Sequence, residues 1–377
     1  MIRRPDRQRG RMVDSNRETR GVVDSVVEPV YRMSRPSDEA ELLDVIQAAY
    51  GTWPAFPLAI PAIEHLHWKM NPPAETAVQH SVIQVGDRIA AAQLRWVSRW
   101  QVQDEVRLAE AGADLAVHPD FQGHGFSRLI RTGDHRRLIA GGISGVAMQS
   151  KAPEVRHMNQ GKVGREMTTW TYPFRMRPYI GAHRRHGPRQ LARALWRRSR
   201  PQRGRIPPVG RIEVLERFDE RTDALWEASR RSFDVIPFRD SIYLNWRFQR
   251  PFSGEPEILC WLDGDRALAY AVVRRSGEHG YLMDWLWRPG TIAGLGALVE
   301  ACIEHLRDAG ASDATCWVPK GHPGAPLLEA TGFARTGTQT MEFGNRQEES
   351  GERLNALDFY DDPSTSFHLT MSDFDYV

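Results

Sequence analysis

The sequence predicts an α/β (α+β) chain that carries one strand-and-helix fold twice, on three observations. The same order of strand, helix, hairpin, strand, helix and two strands can be read from residues 28–180 and again from 209–377. The turn Gly-Asp-Arg recurs in both hairpins, at Gly86-Asp87-Arg88 and Gly264-Asp265-Arg266. Val117-His118-Pro119 is echoed by Trp287-Arg288-Pro289, as an internal duplication would leave them.

Residues 1–27 are rich in Arg, Asp and Ser without apolar periodicity, and are read as a flexible basic arm outside the fold. The first copy begins with a strand near Val30-Tyr31-Arg32-Met33. A helix follows from Asp38, with Leu42, Leu43, Val45, Ile46 and Ala49 on one face, ending at Tyr50-Gly51-Thr52-Trp53. Residues 82–85 and 89–97 form the hairpin, 113–118 a strand, 126–140 a helix, and 144–149 and 168–174 the closing strands. In the second copy the corresponding runs are a strand at 211–215, a helix at 219–229, a hairpin of 258–262 with 267–274, a strand at 281–287, a helix at 295–309, and strands near 314–318 and 338–343.

Residues 181–208 form a linker dense in Arg; from His183 to Pro208 it holds no acidic residue, and Leu191, Leu195 and Trp196 mark a short helix. That stretch reads either as a solvated helix docked by its apolar residues or as a contact for phosphate, nucleic acid or an anionic surface. Over 377 residues the charges nearly cancel, 50 basic against 48 acidic, so no strongly charged partner follows from the average. Cys260, Cys302 and Cys316 are widely spaced and show neither a disulfide framework nor zinc-ligand spacing. No window has the roughly 18 apolar residues of a membrane span, and a cytoplasmic enzyme is the default.

The chemistry is concentrated in Asp114-Leu115-Ala116-Val117-His118-Pro119-Asp120-Phe121-Gln122-Gly123-His124-Gly125-Phe126-Ser127, where a buried strand turns tightly into a helix. Pro119 ends the ladder, and Gly123 and Gly125 permit positive φ. The next N–H groups stand unpaired at a helix N-terminus, a nest that binds phosphate without a basic side chain. A Walker loop would need Gly-Lys-Ser/Thr, and a dinucleotide fingerprint a third glycine with an acidic residue about 20 positions on; neither is present.

This run resembles the acetyl-CoA motif of the GNAT superfamily of N-acetyltransferases: Gln or Arg, two residues, Gly, one residue, then Gly or Ala. Gln122 and Gly125 match, and Ser127 stands where Gly or Ala is usual. The resemblance covers roughly residues 28–180; residues 209–377 resemble a degenerate second copy, as in tandem acetyltransferase-like proteins. It implies two tandem domains, each a mixed, mostly antiparallel sheet flanked by helices. It also implies acetyl-CoA as acyl donor and no metal. The backbone amides of Leu115 and Val117 would meet the acetyl carbonyl and pantetheine arm, and those of Gln122, Gly123, His124, Gly125, Phe126 and Ser127 would surround the pyrophosphate.

The catalytic residues are less determined. Members often use a tyrosine about four residues before the Gly that precedes the next strand, and counting back from Gly164 gives Gln160. His157, Ser150 and Tyr172 are then candidates for the proton donor, with His157 preferred. Asp114, on the strand beside the expected acyl site, would be a general base if desolvation raised its pKa, with Glu105 and Glu110 as rivals. Tyr50 and Trp53, with Thr52, stand where this fold receives substrate, although Trp53 also reads as core. The second loop, Arg288 to Gly296, lacks the leading Gln or Arg, so this copy is expected to wall the cleft, with Trp246, Trp285, Trp287 and Trp317 as core or stacking surfaces. Asp373 or Asp375 in the acidic tail would face a cationic substrate.

The reading is therefore an acyl-CoA-dependent N-acyltransferase acting on the amine of a small molecule, such as an amino sugar or natural-product intermediate. A Fem-type enzyme taking an aminoacyl group from tRNA through the Arg-rich linker, and a non-catalytic acyl-CoA-binding protein, are the alternatives. A homo-oligomer stays open.

Overall fold

A computed structural model describes residues 28–54, 58–73, 77–78, 80–141, 143–148, 163–174, 209–248, 256–344 and 362–373. The basic arm, the Arg-rich linker, Ser150, His157, Gln160 and Asp375 lie outside the described residues.

The first half runs β1 (Val30–Met33), α1 (Glu39–Tyr50), α2 (Ala62–Met70), β2 (Ala77–Val78), β3 (Ser81–Val85), β4 (Arg88–Val102), β5 (Glu105–Val117), α3 (Phe126–Ala140), β6 (Ser144–Met148) and β7 (Val163–Pro173). The second runs β8 (Arg211–Leu215), α4 (Glu220–Ser229), β9 (Val235–Pro237), α5 (Ser241–Phe248), β10 (Pro256–Asp263), β11 (Arg266–Ser276), β12 (His279–Trp287), α6 (Ile292–Asp308), β13 (Asp313–Pro319), α7 (Ala325–Thr331) and β14 (Ala334–Gly344). Local chemistry accounts for several boundaries. Leu42, Val45 and Ile46 give α1 its buried face, and Gly51 at φ 74° stops it. Asp219 caps α4 by accepting from the Arg221 N–H, with Thr222 bonding back to the cap.

Each half keeps the predicted strand order, but the two are joined in a single 14-stranded sheet, whose main path is β1-β3-β4-β5-β6-β14-β7-β13-β12-β11-β10-β8, with β2 and β9 pairing β4 off it. The junction is an exchange of strands. β14 lies between β6 and β7 of the first half, while β7 lies between β13 and β14 of the second. Neither half closes its own sheet. The end of β4 also leaves the first half to pair with β9, through Trp100↔Pro237 to Val102↔Val235. Trp100, Val102 and Ala109 accordingly belong to the large apolar cluster centred on the second half. Most neighbouring pairs are antiparallel; the parallel ones are β5 with β6 and β12 with β13, each bridged by the long helix that follows the first strand.

Candidate active site

The site begins where β5 and β6 part. They pair only from Ala109↔Ser144 to Ala111↔Val146, whereas β5 continues to Val117, so its far end has an open edge. A bulge sharpens the divergence: Ala92 faces Ala116 and Leu94 faces Ala113, leaving Asp114 and Leu115 opposite Gln93, with Asp114 at φ 49°. The His118 N–H donates to Ala90 on the β4 side, which turns the Val117 amide toward the opening. Two side chains mark that edge. The Tyr50 hydroxyl donates to the Leu115 carbonyl at 2.7 Å, and the Gln122 side-chain amide reaches the Val117 carbonyl at 3.4 Å.

After β5 a short 3-10 turn, Pro119–Phe121, leads into the glycine loop. Gly123 and Gly125 adopt φ 83° and 78°, and the space a Cβ would occupy at each is empty. Among the described residues, the N–H groups of Gly123, His124, Gly125, Phe126 and Ser127 have no backbone carbonyl partner; the Gln122 N–H is spent on Pro119 at 3.3 Å. These five amides stand at the N-terminus of the 15-residue α3, where the helix dipole adds partial positive charge. Edge and loop together bound a cleft of about 330 Å³, lined by Tyr50, Leu115, Val117, Gln122, Gly123 and Gly125 among others. Phe126 and Ser127 also line it, while His124 lies in the loop outside the lining, its ring against Phe126.

Other predicted residues are placed differently. Asp114 accepts from Lys69 Nζ at 2.8 Å; the Lys69 side chain is 2% exposed and that of Asp114 18%. Burial raises the Asp114 pKa, but the charge and hydrogen bond of Lys69, with a hydrogen bond from Trp53, outweigh it and hold the carboxyl below its ordinary value. The raised pKa expected of a general base is corrected: Asp114 is an ionised partner of Lys69. Trp53 does not line the cleft. It is buried in the cluster of Leu42, Val45 and Ile46, with Lys69 5.1 Å over its ring, because a large indole covers the lysine stem better than it serves a wet cleft. Only Tyr50 of the two proposed substrate residues reaches the opening; enclosure of its hydroxyl, then the charge of Asp114, push its pKa up to about 12. Tyr172 packs against Phe174 and Phe333 across the exchanged strands, away from β5. Glu110 is buried in an ion pair with Arg95, and Glu105 is exposed beside Arg107. Asp373 is turned inward to Arg239 at 2.8 Å, where a buried cation needs it, and so faces no substrate.

The matching gap of the second half is filled. β12 and β13 pair only from His279↔Asp313 to Tyr281↔Thr315 and then part. Into the gap fit Phe233, His322 and His368 beside Trp285 and Trp287, with Phe233 and His322 stacked at 5.7 Å. The His368 Nε2 bonds the Trp285 carbonyl at 2.7 Å, the position that Tyr50 takes in the first half. At the Gly290 loop the Thr291 N–H donates to Arg288 and the Gly294 N–H to Thr291, which leaves three N–H groups, those of Gly290, Ile292 and Ala293, without a backbone carbonyl partner among the described residues, against five in the first loop. Trp285, Trp287 and Trp317 are core, whereas Trp246 stacks on Trp68 at 4.8 Å where the halves meet.

No family model matches the chain, and no curated protein matches it. Solved structures do. A probable N-acyltransferase of Enterococcus faecalis V583 superposes with TM-score 0.58 at 11% identity, over 84% of this chain and 72% of that one. The N-myristoyltransferase of Saccharomyces cerevisiae with bound myristoyl-CoA gives 0.55 at 11%, over 87% and 81%. A tandem GNAT protein from the clavulanic acid biosynthesis pathway gives 0.52 at 15%, over 84% and 98%. The fold is therefore of the tandem GNAT type. Among the described residues no group of three His, Cys, Asp or Glu side chains could hold a metal, and no helix is long and apolar enough to cross a membrane.

Proposed function

We propose that the chain is an acyl-CoA-dependent N-acyltransferase, with acetyl-CoA the simplest donor and the amine of a small molecule as acceptor. One observation carries the reading: an open strand edge runs directly into five unpartnered amides at a helix N-terminus, whereas the matching strand edge in the other half is closed by His368. The amides suit a pyrophosphate, and the edge suits a pantetheine arm, which carries amide groups that pair with exposed strand backbone. The thioester is already activated, so the chain's task is positioning. A neutral amine attacks the thioester carbonyl and a backbone N–H of the bulged edge stabilises the oxyanion; collapse breaks the C–S bond, and the proton lost by the attacking nitrogen passes, directly or through water, to the departing thiolate. The fold shared with N-acyltransferases supports this class and leaves acyl length to experiment.

The test is release of free thiol from acetyl-CoA and longer acyl-CoAs across a panel of primary amines. Amine-dependent release with at least one pair is expected. Coenzyme binding without turnover on any pair would replace this reading with that of a non-catalytic acyl-CoA-binding protein.

A further inference from the structure

The ends of α2 and α5 meet at the seam between the halves, where Trp68 stacks on Trp246 and donates its indole N–H to the Trp246 carbonyl at 3.0 Å. The next residue of each helix is a buried cation. Lys69 is paired with Asp114, and Arg247 donates Nε to the Ser372 carbonyl at 3.0 Å and lies over the Trp68 ring.

Arg274, on β11 opposite Tyr281, is a third cation here and differs from the other buried arginines. Arg95 contacts Glu110 and Asp134, and Arg239 contacts Asp284 and Asp373. Arg274 is 3% exposed, yet it has no carboxylate within ion-pair distance among the described residues, and its Nε and Nη2 have no hydrogen-bond partner. Those two N–H groups are parallel and spaced like the two oxygens of a carboxylate, the side-on fork by which arginine binds oxyanions. A buried charge left alone is costly, and a bound anion would offset that cost. Burial, then the like charge of Arg247, push the Arg274 guanidinium down to about 9. His65 on α2 is pushed down to about 3 by burial and then by Lys69, with Arg247 and Arg274 adding and Asp114 opposing. The charges of Lys69, Asp114, Arg247 and Arg274 thus all act on His65, which places the bulged strand and the cations of the seam in one electrostatic neighbourhood.

We propose that Arg274, with Arg247 beside it, binds the carboxylate or other oxyanion of the acceptor, so that the substrate is an acidic amine held across the seam. The oxyanion site stands on the geometry of Arg274; its assignment to the acceptor rests on the acyltransferase reading.

The two are separated by following thermal unfolding of the full chain in sodium sulfate against sodium chloride at equal ionic strength, alongside calorimetric titration with coenzyme A. Wild type should show a saturable gain in Tm with sulfate. Arg274→Met should lose that gain, show a sulfate-free Tm no lower than wild type, and bind coenzyme A unchanged; Arg274→Gln, which keeps a polar group, should lose the gain as well. Absence of the gain in wild type, or its survival in either variant, overturns the site whatever coenzyme A does. A gain that depends on Arg274 in a protein that does not bind coenzyme A keeps the site and removes the acyltransferase. Among amines that turn over, Arg274→Met should lower kcat/KM for carboxylate-bearing acceptors at least tenfold and spare their methyl esters; equal loss for both removes the acceptor assignment.

Discussion

Two strand pairs of the same arrangement have opposite fates in this molecule. In both halves a parallel strand pair separates after three residue pairs, and in both a glycine at positive φ opens the loop before the long helix. In the first half the separated edge stays open beside unpartnered amides. In the second, His368 takes the edge carbonyl and buried aromatic rings fill the gap. A coenzyme site thus depends less on the fold than on what the chain leaves out of the gap.

The polar scaffold beneath the first cleft should give the largest effect. Lys69→Met leaves Asp114 charged, largely buried and unpaired, and should cost about 3–5 kcal/mol of stability in denaturant unfolding; a loss under ~1 kcal/mol would make the pair incidental. The glycines provide a matched contrast. Gly125 and Gly290 have φ 78° and 82° with open space for a Cβ, so valine at either costs about 1–2 kcal/mol of backbone strain. Only Gly125→Val should weaken coenzyme binding, by about a hundredfold or ~2.7 kcal/mol. Equal losses from both would erase the distinction between the clefts.

The filled gap should be sensitive to acid. Burial, then the charge of Arg239, hold His322 neutral with a pKa near 3, and His368 is depressed in the same way, its second cause also being Arg239. An unfolded histidine titrates near 6.5, so between these values the unfolded chain binds more protons than the native one. The stability contributed is complete above about pH 6.5 and is lost as the pH falls; for His322 the loss at pH 5 relative to pH 8 is about 2 kcal/mol. Urea unfolding across that range measures it, and an unchanged free energy would contradict the neutral stack. The smallest effect belongs to Tyr50→Phe, which removes one hydrogen bond from Leu115 and should cost about 0.5–1.5 kcal/mol.

The loop and helix of the first cleft were legible because their signals are local: Pro119, Gly123, Gly125 and the apolar face of α3 occur within one short stretch. The Gly-Asp-Arg turns exposed the duplication for the same reason. α2 escaped because His65 and Lys69 point inward and break the apolar period. β4 and β5 run longer than expected because buried Gln101 and Glu110 make strand residues read as loop. The exchange of β7 and β14 has no local signature at all, since either strand could pair within its own half. The environments of Asp114 and Trp53 depend on Lys69, 45 residues from Asp114, and no spacing rule predicts that contact.

Calorimetric titration of coenzyme A into the wild-type chain tests the contrast most directly. A single coenzyme molecule per chain, retained in Gly290→Val and lost in Gly125→Val, is the predicted result. Two sites per chain, none, or loss confined to Gly290→Val would contradict it.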